Sequence, residues 1–362
     1  LKRLGIIGAG QLGQMLGTAA ARLDIPVTFL DPSSSPPAAG VGPVIALPFD
    51  SAEGLARLAE SADVITYEFE NVPVAAVEAI AGNVRVFPPP VALHLAQDRW
   101  HEKQLFEALQ IPVPRYCRVD ARRDLEQAAN TLGFPFVLKT RTLGYDGKGQ
   151  VLVRSPGDVD VVWKEHGSVP LIAEEWVDFA FEVSIIGARR PGGDIVTYPL
   201  TENRHRDGIL RTSRAPAGTV ELLECAIAYL ANLMDHLDYV GVLALELFVT
   251  ANGLLANEFA PRVHNSGHWT IEGAATSQFE NHVRAIFDMP LGDTSPIACA
   301  GMINLIGTMP AAKALPDHLP YFLHDYGKSP RPGRKLGHIT LLADSQPLLD
   351  TRLAALEKSL TY

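Results

Sequence analysis

Apolar residues in the first part of the chain come in short runs separated by stretches with helical spacing. Leu4–Gly8 is an apolar run ending in glycine, Gln11–Leu23 reads as a helix and Val27–Leu30 as a second strand. Val64–Thr66, the helix Val74–Ala81 and Val84–Phe87 continue the alternation. Strand–helix–strand order predicts parallel pairing with right-handed crossovers. Residues 1–91 therefore read as a small doubly wound α/β domain, closed by Pro88-Pro89-Pro90.

From Val91 the pattern changes. A helix holds Asp98, Arg99 and Lys103, Pro135–Lys139 is a strand, and a glycine-rich loop, Gly144–Gln150, leads into the strand Val151–Val153. Beyond Leu171 the chain is mostly strands: Leu171–Glu174, Phe181–Gly187, Ile195–Pro199, Gly241–Val249 and Leu254–Phe259, interrupted by the long helix Val220–Leu237. Cys299–Ile306 and Gly337–Ala343 are further strands, and Leu348–Leu360 is a closing helix. This is an α+β pattern with antiparallel pairing. We expect three units: 1–91, then 92–170 with the glycine-rich loop, then 171–362.

Composition narrows the function classes. The 362 residues are 47% hydrophobic and 20% charged, which is ordinary globular usage and ample for a buried core. A net charge of −10 makes a poor general binder of nucleic acid or anionic membrane, so an anionic substrate needs local cations. The longest apolar stretch, Tyr239–Val249, contains Glu246 and falls short of the ~20 residues of a spanning helix. The N-terminus has too little apolar content for a signal peptide, and Leu1 in place of Met suggests numbering that begins inside a longer chain. Cys117, Cys225 and Cys299 are odd in number and far apart, which fits a reducing compartment. We expect a soluble cytoplasmic protein with no nucleic-acid or membrane partner.

Gly8-Ala9-Gly10-Gln11-Leu12-Gly13 matches G-x-G-x-x-G between a strand and a helix, with Asp31 closing the second strand, where a ribose-binding acid would sit in a dinucleotide fold. It reads either as an anion site at a helix N-terminus or as a tight turn that lets helix and strand pack closely. No later segment supplies a nicotinamide site. In the second glycine cluster, Lys139 ends a strand and Gly144, Gly147, Lys148 and Gly149 lie on a hairpin tip that could fold over phosphates. No Ser or Thr follows a Gly-Lys, so this is not the Walker pattern; a solvated flexible hairpin is the alternative. Leu171–Val177, an apolar strand running into Glu174, Glu175 and Trp176, can line a base pocket. Glu182 in an apolar strand suits ribose hydroxyls or a salt bridge.

Glu246 and Glu258 each lie within an apolar run, with Asn257 beside the second. A buried, unpaired carboxylate is costly, so each needs a cation: Mg²⁺ beside nucleotide phosphates, or a buried arginine. The two can chelate together only if they share a face of the sheet. A two-residue Asn252-Gly253 turn would set Glu258 opposite Leu247 and point Glu246 the other way. A three-residue Ala251-Asn252-Gly253 loop sets Glu246 directly opposite Glu258. We expect the shared face, and with it an odd-length loop.

In this order the parts resemble the ATP-grasp superfamily and, more narrowly, the N5-carboxyaminoimidazole ribonucleotide synthetase family. Gly8–Met15, Thr140–Gln150, Pro261–Thr270 and Gly333–His338 carry the likeness, which spans essentially the whole chain. A formate-dependent glycinamide ribonucleotide transformylase is similar in the first and third stretches, and a non-catalytic nucleotide binder of the same fold is the other alternative. The resemblance implies an ATP-grasp fold preceded by the small doubly wound domain. It implies ATP and Mg²⁺, bicarbonate and aminoimidazole ribonucleotide as substrates, carboxyphosphate as the activated species, and a homodimer. By resemblance, ATP contacts are Arg99, Lys139, Gly144, Tyr145, Asp146, Gly147, Lys148, Gly149, Gln150, Glu174, Glu175, Trp176, Val177, Glu182, His205, Asn257 and Glu258. Glu246 and Glu258 would hold Mg²⁺, while Arg262, His264, Asn265, Tyr145 and Asp146 would serve the carboxylation. Gln11, Leu12 and Glu68 would face the ribonucleotide, with Lys328, Arg334 and Lys335 on its 5′-phosphate. Lys328–Lys335 carries four cations with Arg331 and no acid, which answers the charge question above. His205, His264, His268 and His338 could equally be structural.

Overall fold

The computed structural model describes residues 2–144, 147–311, 315–316 and 319–360. Strands β1 (Leu4–Ile7), β2 (Val27–Leu30), β3 (Val44–Ile45), β4 (Val64–Tyr67) and β5 (Arg85–Val86) form a parallel sheet in the order β3-β2-β1-β4-β5. Their near-continuous apolar character has a cause: both faces are covered. Helix α1 (Gln11–Arg22) packs on Leu4, Ile6 and Phe29, while α2 (Ala52–Ser61) and α3 (Val74–Ala81) pack on Ile7, Leu30 and Ile65. Two elements here were not expected: β3, too short to show as a run, and α2.

Helices α4 (Pro90–Ala96) and α5 (Arg99–Ala108) follow. Asp98 caps α5 by accepting from the Trp100 N–H at 2.9 Å, and the same carboxylate takes Arg141 Nε at 3.0 Å. Strands β6 (Tyr116–Val119), β7 (Phe136–Thr140), β8 (Gln150–Val153) and β9 (Leu171–Glu175) make an antiparallel sheet in the order β6-β9-β7-β8. Helices α6 (Arg122–Leu132) and α7 (Val159–His166) share its core. Strand β9 pairs along the whole of β7, so this sheet runs through Glu175, beyond the boundary expected at residue 170. A strand's unit is set by its ladder partner, which an apolar run does not reveal. We therefore propose the second boundary just after Glu175.

The remaining strands are β10 (Phe181–Arg189), β11 (Ile195–Thr197), β12 (Thr201–Arg206), β13 (Ile209–Ala215), β14 (Gly241–Thr250), β15 (Gly253–Ala260), β16 (Cys299–Ile306), β17 (Phe322–Asp325) and β18 (Lys335–Ala343). They form a nine-stranded sheet with the path β15-β14-β10-β12-β13-β16-β18-β17, and β11 on β10. Its helices are α8 (Val220–His236), α9 (Thr270–Gly273), α10 (Gln278–Ile286) and α11 (Gln346–Ser359). Helix α8 packs on the face of Ile185, Leu243, Leu245 and Leu247. The other face, with Ile186, Val242 and Ala244, shares its core with α10 and with Leu12 and Leu16 of α1. His282 fastens the two units, with Nε2 at 2.9 Å from Thr66 Oγ1 and Nδ1 accepting from the Val242 N–H at 3.0 Å. Burial lowers this imidazole to about 3, so it stays neutral and can accept. Among the described residues no helix is long and apolar enough to cross a membrane.

Candidate active site

Glu246 lies directly opposite Glu258, so the two carboxylates share a face as expected. The route to that register is different. Thr250 pairs with Gly253 across a two-residue Ala251-Asn252 loop, and this register holds as far as Leu247 opposite Ala256. Asn257 is then left out of the pairing as a β-bulge, and Glu246 meets Glu258. The odd residue is in the strand, not in the loop. Glu246 is on the face of Val242 and Ala244, the face on which the N-terminal unit sits. Ser184 of β10 is opposite Glu246, and Glu182, two residues away, shares this face.

Each acid has a side-chain partner. Arg99 Nη1 is 2.7 Å from Glu258 Oε2, and His264 Nε2 is 3.0 Å from Glu246 Oε1. Burial by itself raises the Glu246 carboxyl, but His264, His205 and Arg262 outweigh it and hold the group at about 2. On β9, Glu174 is buried and takes Lys139 Nζ at 3.0 Å and Lys103 Nζ at 3.5 Å. Burial opposes its charge, yet Lys103, Lys139 and Arg99 bring it to about 2. His205 Nδ1 bonds Glu182, and although burial works against the charged ring, Glu182, Glu246 and Glu258 raise its pKa. The arginine weighed against a metal is thus present at Glu258, though it is half-buried rather than buried. Even so, the Asn257 Oδ1 acceptor is buried with no hydrogen-bond partner. Two carboxylates and an idle amide oxygen are a hard, all-oxygen donor set that fits Mg²⁺. Among the described residues no three His, Cys, Asp or Glu gather as a metal cage.

The segment after β15 joins the two units. Arg262 Nη2 is 2.6 Å from Glu70 Oε1 of the N-terminal unit, while His264 reaches Glu246. Buried Gln278 fixes His264 by accepting from its N–H at 3.0 Å and donating to its C=O at 2.6 Å. Asn265 exchanges amide hydrogen bonds with Asn304 at 3.1 and 2.7 Å. His268 and His338 are core residues, buried and lowered well below the usual histidine range by burial, with rings 4.9 Å apart.

The first glycine turn is filled from within. The Glu68 carboxylate accepts from the Gly10 and Gly13 N–H groups, and Asp31 accepts from the Ala9 N–H at 2.9 Å. The donors that a dinucleotide's pyrophosphate would use are taken, and Asp31 caps the turn instead of waiting for a ribose. Beside it, Lys328 Nζ donates to Gln11 Oε1 and lies 5.6 Å from the Tyr326 ring centre. Leu12 is buried in the core below. Arg334 Nη1 donates to Ser329 Oγ at 3.0 Å, and Lys335 opens β18.

In the second glycine cluster, Gly147 and Gly149 have φ of +74° and +73°. A Cβ on Gly147 would stand 2.8 Å from Gly208 Cα, so the loop rests on the β12–β13 turn. Gly144 lies beside Arg99 Nη2, Gln150 opens β8, and Lys148 lies between Gly147 and Gly149 on the loop. Tyr145 and Asp146 lie outside the described residues. The Glu175 side chain is bound to Arg115, with Nε 2.6 Å from Oε2, and the Glu175 N–H donates to Arg115 O at 2.9 Å. Trp176 is exposed and Val177 half-buried just after β9. Sequence reasoning missed Glu70, Glu102, Gln278 and Asn304, and gave Lys103 no role. A signal existed for two of them: Glu102 and Lys103 follow Arg99 at helical spacing.

A ribonucleotide synthetase preATP-grasp domain model matches residues 1–97, an ATP-grasp domain model 104–279, and a phosphoribosylaminoimidazole carboxylase C-terminal domain model 300–352. The chain is 46% identical over 355 residues to the N5-carboxyaminoimidazole ribonucleotide synthase of Pseudomonas aeruginosa, covering 98% of each. It belongs to the N5-carboxyaminoimidazole ribonucleotide synthase family. A Thermus thermophilus synthetase of this family superimposes with a TM-score of 0.94 at 46% identity, covering 99% of each chain. The Aspergillus clavatus synthase of the same family, solved with ADP and 5-aminoimidazole ribonucleotide, superimposes with a TM-score of 0.92 at 30% identity, covering 99% of this chain and 98% of that one. The ATP-grasp match begins within α5 and ends within α10, and so encloses both acids and the second glycine cluster.

Proposed function

We infer that the protein is an ATP-dependent ligase that carboxylates 5-aminoimidazole ribonucleotide with bicarbonate in purine biosynthesis. The products are N5-carboxyaminoimidazole ribonucleotide, ADP and phosphate. Family membership supports the class of reaction, and function itself must come from the site. The observation that carries the reading is the short segment Arg262–His264. It is tied at one end to Glu70 of the N-terminal unit and at the other to Glu246 of the hairpin. A carboxyl group passed from a phosphate donor to a ribonucleotide amine must cross that junction.

Bicarbonate is a weak electrophile and needs activation, here as carboxyphosphate. Phosphoryl transfer asks for positioning and charge neutralisation rather than covalent help. Glu246 and Glu258, with Asn257, would hold Mg²⁺, which when bound neutralises phosphate charge. Arg99 and Lys139 pair with acids through long side chains that can turn to phosphates. Glu174, Glu182, His205 and the 175–177 backbone line the base and ribose side. The Gly144–Gln150 loop covers the phosphates and keeps water from the labile intermediate. Arg262, His264 and Asn265 receive the carboxyl group, with Tyr145 and Asp146 from the loop. Gln11, Lys328, Arg334 and Lys335 hold the ribonucleotide, while Leu12, in the core, and Glu68, spent on the Gly10 and Gly13 N–H groups, shape the turn beside it. The resemblance also implies a homodimer, which light scattering tests directly.

The functional test is phosphate release from ATP. It should require bicarbonate and aminoimidazole ribonucleotide together. Release that follows formate and glycinamide ribonucleotide instead would move the chain to the formyl-transfer relatives.

A further inference from the structure

Strand β15 is the edge of the nine-stranded sheet, so its outward backbone groups have no ladder partner. They are satisfied from outside the sheet. The Ala256 N–H donates to Pro112 O at 2.7 Å, and the Phe259 N–H to Glu102 Oε1 at 2.7 Å. Lys103 Nζ donates to Asn257 O at 2.7 Å and to Ala256 O at 3.3 Å. In a regular strand successive carbonyls point to opposite sides, so one ammonium reaches both only where the strand is bulged. Beside these two hydrogen bonds the ammonium makes an ion pair with Glu174, with Nζ 3.5 Å from Oε2. Lys103 is 1% exposed, so it has no solvent to fall back on.

We propose that Lys103 is a positioning residue for the carboxylate hairpin: by clamping the Ala256 and Asn257 carbonyls it holds the bulge that sets Glu246 opposite Glu258. If Asn257 joined the ladder, the hairpin register would run on, Glu258 would face Leu245, and the two acids would lie on opposite faces. Through Glu174 the same ammonium ties this hairpin to β9, so the base side and the acid pair keep one spacing. The proposal rests on the reading of Glu246 and Glu258 as the metal-holding pair, but the bulge can be measured without metal.

The test is Lys103→Met, with Lys103→Gln as the second variant because its amide can still donate to one carbonyl. In ligand-free protein, amide exchange across residues 254–260 should quicken about tenfold or more. In turnover, kcat should fall about tenfold or more with the KM for ATP within about threefold, and half-maximal activity should need several-fold more Mg²⁺. Lys103→Gln should fall between the native protein and Lys103→Met, and it carries the test if Lys103→Met does not fold. Unchanged exchange across 254–260 in the folded variant overturns the proposal. If Glu258→Gln turns over normally, it is the metal-pair reading that fails, and the exchange result still stands on its own.

Discussion

The N-terminal glycine turn and the carboxylate hairpin both hold acids, buried in the turn and half-buried in the hairpin, and they hold them with different partners. Glu68 is held by the backbone N–H groups of Gly10 and Gly13, which cannot leave. Glu246 and Glu258 are held by His264 and Arg99, side chains that can swing away when phosphate and metal arrive. The first arrangement is a finished piece of structure, while the second is a set of ion pairs open to exchange. A glycine-rich motif therefore says where an anion can sit. Whether that place is open depends on what the rest of the chain has put there.

The largest expected effect is at the hairpin. Glu258→Gln keeps the shape and removes the charge, so the fold should persist while turnover falls about a hundredfold. Near-normal turnover at low Mg²⁺ would make Glu258 as structural as Glu68. Next comes the first turn. Glu68→Ala leaves the buried Gly13 N–H and the half-buried Gly10 N–H without their acceptor and should cost about 1–3 kcal/mol in denaturant unfolding. A calorimetric titration with NADH should show no binding to the native protein, and measurable binding would mean that the turn is open after all.

The sequence made much of this legible, and the misses have definite causes. The parallel strands of the first unit showed because they are buried on both faces. The shared face of Glu246 and Glu258 followed from the cost of stranding a buried acid, a global demand. The loop length did not follow, because a bulge at Asn257 satisfies the same demand and leaves no local turn signal. Asp31 looked like a ribose ligand, since no pattern shows that its carboxylate caps the Ala9 N–H. Glu102 and Lys103 sit on a mixed polar helix face that usually meets water, and only the edge strand beside it makes them buried. The Glu175 side chain needed Arg115, far off in sequence, to be accounted for.

A smaller effect separates the two substrates. Lys335→Ala should raise the KM for aminoimidazole ribonucleotide about tenfold and leave that for ATP within about twofold, because it removes binding to a remote phosphate. The reverse pattern would put the basic loop on ATP. The smallest effect is pH-dependent. The His205 pKa is raised, chiefly by Glu182 acting against burial, so its pair adds stability that is full below the unfolded pKa, about 6.5, and fades as pH rises through the folded value. The loss of stability in His205→Ala should thus be greatest near pH 5.5 and shrink by pH 8.5. A loss that is the same at both ends would mean that the ring works by packing alone.

The central claim is that ATP activates bicarbonate at the exchangeable site and passes the carboxyl group to the ribonucleotide. Oxygen-18-labelled bicarbonate tests it most directly, followed by mass spectrometry of the phosphate released during turnover with aminoimidazole ribonucleotide. One labelled oxygen should appear in each phosphate, because the bicarbonate oxygen attacks the γ-phosphoryl group. Phosphate free of label during full conversion of the ribonucleotide would contradict the account.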